Sequence, residues 1–183
     1  MPRWVFEPGH TAASFSVRHM MVTWVRGQFS DVHGWLDFDL QNPLRGSLHV
    51  EIAAAKIWSG EPERDAHLRS ADFLDVENHP QITFDGNFSE QIGESDFKVR
   101  GELTIRGVHR EVVLDVRYLG QWSTPWWEGD QDLGPRTRAG FTGRTQINRH
   151  DFGVSWNGEL ENGGVVVGHD VLITLDAEAI LEP

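Results

Sequence analysis

The chain has 183 residues, enough for one domain that buries about 70% of its unfolded surface. With 39% hydrophobic and 24% charged residues, disorder is excluded. Lys and Arg number 16 against 28 Asp and Glu, so the net charge of −12 disfavours nucleic acid and anionic surfaces unless a local basic patch offsets it, and the absence of Cys excludes disulfides, thiol catalysis and thiolate metal sites.

At the N-terminus Glu7 and Pro8 arrive before any apolar run, which does not read as a secretory leader. The expectation is a soluble cytoplasmic protein; a periplasmic or secreted one would follow if a leader had been trimmed. No apolar run approaches the roughly 20 residues of a membrane helix.

Alternation of period two then recurs along the chain. Phe15, Val17 and His19 share one face of the first segment, and Leu36, Phe38 and Leu40 alternate with Asp37 and Asp39. Leu48, Val50, Ile52 and Ala54 follow, then Ile82, Phe84 and Phe88, then Phe97, Val99, Leu103 and Ile105. Val112, Leu114, Val116 and Tyr118 form the next apolar face; Phe141, Thr145 and Ile147, and finally Val171, Ile173 and Leu175, complete the set. Half-buried antiparallel strands read this way. About eight of them, several about ten residues and so about 33 Å long, predict an all-β fold: an elongated antiparallel β-barrel in a single domain, 1–183.

Three segments interrupt the pattern. Residues 59–80 predict one or two short helices (about 59–78), with Ser59 as N-cap, Pro62 in the first turn and Leu68, Ala71 and Leu74 at helical spacing. Loop 120–135 carries Trp122, Trp126 and Trp127 and reads first as a subunit interface, second as a ligand lid. Residues 148–164 form a long excursion before the last strand. Loops of this length in a compact domain are usually functional or mobile.

The nine histidines show no metal-ligand spacing, so no metal site is expected. His19 and His169 fall in register with apolar strand faces and should point into the barrel. Each is a satisfied core histidine, a polar anchor for a ligand head, or a general base. Arg64, His67 and Arg69 gather basic groups that would hold an anionic head; the alternative is that the arginines bridge Asp65 and Asp72 or cap barrel-end carbonyls. No nucleophile elbow, P-loop or dinucleotide fingerprint is present, so neither cofactor nor catalytic residue is expected.

Five pieces in order, FEPGHTAASFSVRH, RDAHLRSADFLDVENHPQITF, GELTIRGVHREVVL, NRHDFGV and VGHDVLITLDAEA, resemble the YceI-like, polyisoprenoid-binding family from about residue 4 to 181. Glu7 and Thr11 stand where the family usually has Asp and Ser, and loop 120–135 is idiosyncratic. The resemblance implies a lipocalin-like barrel, a helix across one region, a long apolar cavity for a polyprenyl-type or other long-chain amphiphile, and a homodimer. The family's blocks map onto His10, His19, Arg64, Asp65, His67, Leu68 and Phe73, and onto the run Asn148, Arg149, Asp151, Phe152 and Gly153.

On this reading the lipid tail meets Phe15, Val17, Leu36, Phe38, Phe84, Phe97, Leu103, Leu114, Phe141 and Ile173, with Leu68 and Phe73 closing one end. The head or polar anchor falls to His19, Arg64, His67, Arg69 and His169. Hydrocarbon burial at about 0.8 kcal/mol per CH₂ makes ten carbons enough for micromolar binding. Forty carbons would sum beyond the observed affinity ceiling, so chain length serves selectivity rather than affinity. A 33 Å barrel is also short for an extended eight-isoprene tail, which must fold back or protrude. Two other readings stand beside the lipid carrier: a lipid-modifying or isomerising enzyme with an inward His as base, and a barrel filled by its own side chains.

Overall fold

A computed structural model describes residues 1–183, the side chain of Asn162 left aside. In chain order the elements are β1 (Arg3–Phe6), β2 (Ala12–His19), β3 (Thr23–Phe29), β4 (Val32–Asp37), β5 (Ser47–Ala53), β6 (Ile57–Trp58) and the helix α1 (Pro62–Arg69). Then come β7 (Gln81–Gln91), β8 (Asp96–Ile105), β9 (Val108–Thr124), β10 (Trp127–Glu128), β11 (Gln131–Asp132), β12 (Arg136–Asn148) and β13 (Val167–Leu181). Neighbours pair antiparallel in the order β1-β4-β5-β7-β8-β9-β12-β13, and β13 returns to β1. Eight strands close the barrel, which removes the exposed edges an open sheet would leave.

The last strand explains how the additional pieces fit. Its C-terminal part pairs with β1 and its N-terminal part with β2, so β1 and β2 act as one strand broken at the 3-10 turn Pro8–His10. Pro8 lacks the N–H a ladder needs, and the buried Thr11 hydroxyl ties the break to β13 by donating to the Glu178 carbonyl at 3.2 Å. In the same way β3 continues into β4, and β5 into β6 through the 3-10 turn Ala54–Lys56. Helix α1 lies against β6, and Arg69 reaches back from it to the carbonyls of Ala55 (2.8 Å) and Ile57 (2.7 Å).

All eight expected strands are present. Strand β3 was not expected, because its outer face carries Trp24 and its inner face carries Gly27, which erases the alternation. Gly27 is required there: a Cβ would stand 2.4 Å from the Phe15 ring. The helix differs from expectation at its start. Glu61, not Ser59, is the N-cap, accepting from the backbone N–H of Glu63 and Arg64, while Ser59 hydrogen-bonds the buried Asp65 through both its N–H and its hydroxyl. The helix also ends at Arg69, so Ala71 and Leu74 lie beyond it.

Two hairpins turn on two residues with positive φ. Between β8 and β9 these are Arg106 and Gly107; between β2 and β3 they are Met20 (φ 47°) and Met21 (φ 62°). Such loops favour Asn-Gly, and a side chain other than Gly, Asn or Asp in the left-handed region costs about 1 kcal/mol.

The barrel interior divides along its length. In the half bounded by β1 and β4, Phe38 stands at the centre of an aromatic plug, its ring 5.3 to 5.6 Å from those of Phe88, Phe97, Tyr118 and Phe141. Trp4 closes over it and donates its indole N–H to the Phe38 carbonyl at 3.1 Å. Val99 beneath the plug is completely buried. No helix among the described residues is long and apolar enough to cross a membrane.

Candidate functional site

In the other half, bounded by β2 and β3, the inward side chains do not meet. They leave a cavity of about 190 Å³ whose exposed wall is apolar throughout. Alternate positions of the strands supply the wall: Phe15 and Val17 on β2, Val50 and Ile52 on β5, Ile82 and Phe84 on β7, Leu103 and Ile105 on β8. Val112 and Leu114 on β9, Thr145 and Ile147 on β12, and Val171, Ile173 and Leu175 on β13 complete it. The period-two rule places each of these inward. The end is capped by Leu68, Phe73 and Leu74 from α1 and the turn after it, and by Phe152 and Val154 from the excursion after β12.

Of the twelve residues expected along a tail, Phe15, Val17, Leu68, Phe73, Phe84, Leu103, Leu114 and Ile173 line this cavity. Leu36, Phe38, Phe97 and Phe141 lie in the plugged half, where they pack against one another and touch no open space. They share an inward face with the lining residues, but large rings on four neighbouring strands coincide at their level.

None of the five residues expected at a polar head lines the cavity. Arg64 donates to the Ser59 hydroxyl and carbonyl, both at 2.7 Å, and Arg69 is held on the carbonyls of Ala55 and Ile57. His67 stands behind the wall, between the rings of Phe73 (5.0 Å) and Trp156 (4.7 Å), with Nε2 2.8 Å from Asp72 Oδ2. His19 sits at the end of β2 opposite Thr23 and Val167. His169 does not point inward as the alternation predicts. Four residues of β13 span the distance of two on β2 between Val167 and Val171, so the segment bows outward and leaves His169 exposed, 4.4 Å from the His150 ring. Burial lowers the pKa of His150, with the neighbouring charges of Arg149 and His169 acting the same way.

Two further arginines, not anticipated in this role, fasten the cap. Arg106, in the β8–β9 turn, donates to the carbonyls of Phe73 (2.9 Å) and Gly153 (3.3 Å), one on each capping segment. Arg149 is only 4% exposed and touches no carboxylate among the described residues. Its guanidinium donates instead to the carbonyls of Val154 (2.6 Å), Trp156 (2.9 Å), Gly168 (2.8 Å) and Val167 (3.2 Å). Burial lowers its pKa from the ordinary value, yet guanidinium stays charged, so carbonyl dipoles alone balance it. The signal for Arg149 lay in its motif: Asn148 accepts from the His150 N–H and Gly153 takes a left-handed conformation (φ 71°), which folds the chain around the guanidinium.

The Trp-rich loop lies at the other end of the barrel. Strands β9 and β12 run past the plug as a two-stranded ribbon that carries Trp122 exposed on β9, with β10, bearing the exposed Trp127, and β11 at its tip. It covers the plug side, so the lid expectation is corrected. Among the described residues no group of three His, Asp or Glu gathers as a metal site.

Comparison with known proteins matches residues 4–179 to the YceI-like domain. A UPF0312 protein of Azotobacter vinelandii is 34% identical over 81% of this chain and 73% of its own length, and Protein YceI of Escherichia coli is 34% identical over the same shares. Among solved structures, BcnA of Burkholderia cenocepacia superposes with a TM-score of 0.75 at 22% identity, covering 94% of this chain and 98% of its own. A polyisoprenoid binding domain from Saccharophagus degradans, implicated in plant cell wall breakdown, superposes with a TM-score of 0.66 at 13% identity over 98% of both chains. The fold is shared with both, and with the sequence match along nearly its whole length the chain belongs to the YceI-like family.

Proposed function

We propose that this protein binds a long-chain amphiphilic lipid, of the polyisoprenoid class, and sequesters or carries it with the hydrocarbon end in the barrel cavity. One observation carries the reading: a void with a wholly apolar wall persists in one half of a barrel whose other half is packed tight. An empty apolar cavity destabilises a fold in proportion to its volume, so a retained one is a site for something apolar. The resemblance in fold to the polyisoprenoid binding domain supports the ligand class.

Volume and wall together set how the ligand sits. An apolar cavity of about 150 Å³ admits benzene, so by proportion this one, at 190 Å³, admits about eight carbons. A longer tail extends by displacing the cap, which is closed by arginine hydrogen bonds and the ring contacts among His67, Phe73 and Trp156 rather than by strand pairing. No polar surface faces the void, so the head group stays outside it. The wall likewise offers neither His19 nor His169 as a base.

Native mass spectrometry of the freshly purified protein, followed by solvent extraction, tests the reading. The expected result is a discrete added mass that releases a prenyl-type or other long chain. A clean mass of the bare chain, with no uptake of polyprenyl phosphate, quinone or fatty acid on titration, would overturn it.

A further inference from the structure

The β2–β3 hairpin ends in three consecutive exposed apolar residues, Met20, Met21 and Val22, the last 79% exposed. Nothing inside the protein calls for them. Among the described residues they lie outside the hydrophobic core and the residues packed on it, and both methionines hold a left-handed conformation that Asn-Gly would adopt without strain. Their flank is also unusual. Strand register sets Trp24 beside Arg18 on the outer wall, with the guanidinium 5.2 Å from the ring and donating to the Met21 carbonyl at 2.7 Å.

Arg26 follows Trp24 on the same face, and the rows across β2, β13 and β12 bring Leu172 and Arg144 onto it. Arg18, Arg26 and Arg144 touch no carboxylate among the described residues, although the chain carries a net charge of −12; the acidic residues on the outward face of β13 are Asp170, Asp176 and Glu178, the last paired with Arg138. On β8 and β9 three cations are paired instead, Lys98 with Asp115, Arg100 with Glu111 and Arg117 with Asp96, while Arg110 donates to the His109 carbonyl. Arg18 and Arg26 thus stand without a carboxylate partner directly behind the apolar tip.

We propose that this hairpin docks the protein on an anionic lipid bilayer, with Met20, Met21 and Val22 entering the boundary between head groups and acyl chains while Arg18 and Arg26 meet lipid phosphate. A convex tip of flexible thioether chains offers no fixed shape to a protein partner, but it fits a fluid hydrocarbon boundary. Trp24 and the arginines supply the amphipathic belt such a boundary favours, with the positive charge held at head-group level. The repulsion expected of a polyanion then favours an orientation that presents this hairpin to the bilayer. Phe15 and Val17 of the same hairpin line the cavity, so docking sets the cavity wall against the membrane.

Sedimentation of the full chain with vesicles tests this, using phosphatidylcholine alone and an equal mixture with phosphatidylglycerol. Wild type is expected to sediment with the mixed vesicles, less so as salt is raised. Replacing the turn by Met20→Asn with Met21→Gly should lower binding at least about ten-fold while leaving thermal stability unchanged or higher, since the new pair relaxes the turn. Arg18→Ser with Arg26→Ser should lower binding to the mixed vesicles about five-fold per arginine and leave phosphatidylcholine binding unchanged. Absence of wild-type binding to either vesicle, or undiminished binding by the turn variant, would overturn the proposal. So would a wild-type dimer that the turn variant converts to monomer without any vesicle binding, which would make the tip a contact between copies. Vesicle binding is read whether or not the cavity holds a tail, so it stands or falls apart from the cargo.

Discussion

Phe38, just past the end of β4, and Ile173 on β13 both point into the same barrel, yet one is surrounded by four rings and the other faces open space. The difference is one of volume rather than pattern. On the plugged side the inward positions of β7, β8, β9 and β12 are Phe88, Phe97, Tyr118 and Phe141, long enough for each to reach the Phe38 ring. On the hollow side the same strands supply Ile82, Leu103, Leu114 and Thr145, which are not. A barrel that holds a void needs rigidity from elsewhere, and here the plug supplies it within the same closed sheet.

That division predicts unequal costs for similar truncations. Phe38→Ala removes the central ring of a packed cluster and should cost about 3–5 kcal/mol, whereas Ile173→Ala, which enlarges a space already open, should cost about 1 kcal/mol. Denaturant melts of the two variants check this. Equal losses would mean that the hollow half is packed as tightly as the plug.

Next in size is the fastening of the cap. Arg149→Met keeps the length of the side chain but strips its four carbonyls of donors, and should cost about 2–4 kcal/mol. Hydrogen exchange locates the damage: amides of 154–168 should exchange faster while those of the plug strands stay protected. Uniform acceleration would show that cap and plug open as one unit.

Adding volume sharpens the contrast from the other side. Val99→Phe, at a position with no exposed surface, should destabilise by about 1–3 kcal/mol, while Val171→Phe should grow into the void and change stability by less than about 1 kcal/mol. The second variant should also lower lipid uptake at least about ten-fold by native mass spectrometry. Retained uptake would place the tail elsewhere.

Alternation of single residues made the barrel legible, since it needs no knowledge of partners: Leu48, Val50 and Ile52 point inward whichever strand lies beside them. It also reached six of the eight expected tail residues that line the cavity, Leu68 and Phe73 lying in the capping segment instead. It could not tell Phe97 from Leu103, two inward residues of one strand, because whether an inward side chain meets another depends on what lies across the axis. Strand β3 escaped for the opposite reason, its outer Trp24 and inner Gly27 reversing the expected polarity. The alternative reading of Arg64 and Arg69 as caps on backbone carbonyls holds, against their reading as holders of an anionic head. The carbonyl partners of Arg106 and Arg149 were not legible, because carbonyls have no sequence. His169 was misplaced because a bulge shifts a strand's facing without changing its composition.

The smallest expected effect lies on the outer wall, where neither half depends on it. His49 on β5 stands across from Asp85 on β7, Nδ1 to Oδ1 at 2.6 Å, and its Nε2 is 3.1 Å from Glu51 Oε1. The bond to Asp85 raises the pKa of His49 more than its partial burial lowers it, with Glu51 adding to the rise. A raised folded value means that the protonated imidazole favours the native state. Its contribution is complete below the unfolded value of about 6.5 and is lost as pH climbs through the elevated native value. Because the pair is half in water, the contribution should stay below about 1 kcal/mol. Melting wild type and His49→Gln side by side from about pH 6 to about pH 9 measures it. The gap between them should be widest at the acid end and narrow steadily with rising pH. A gap that widened toward the alkaline end would mean that the neutral imidazole is the form the fold prefers, and that Asp85 does not hold the proton on His49.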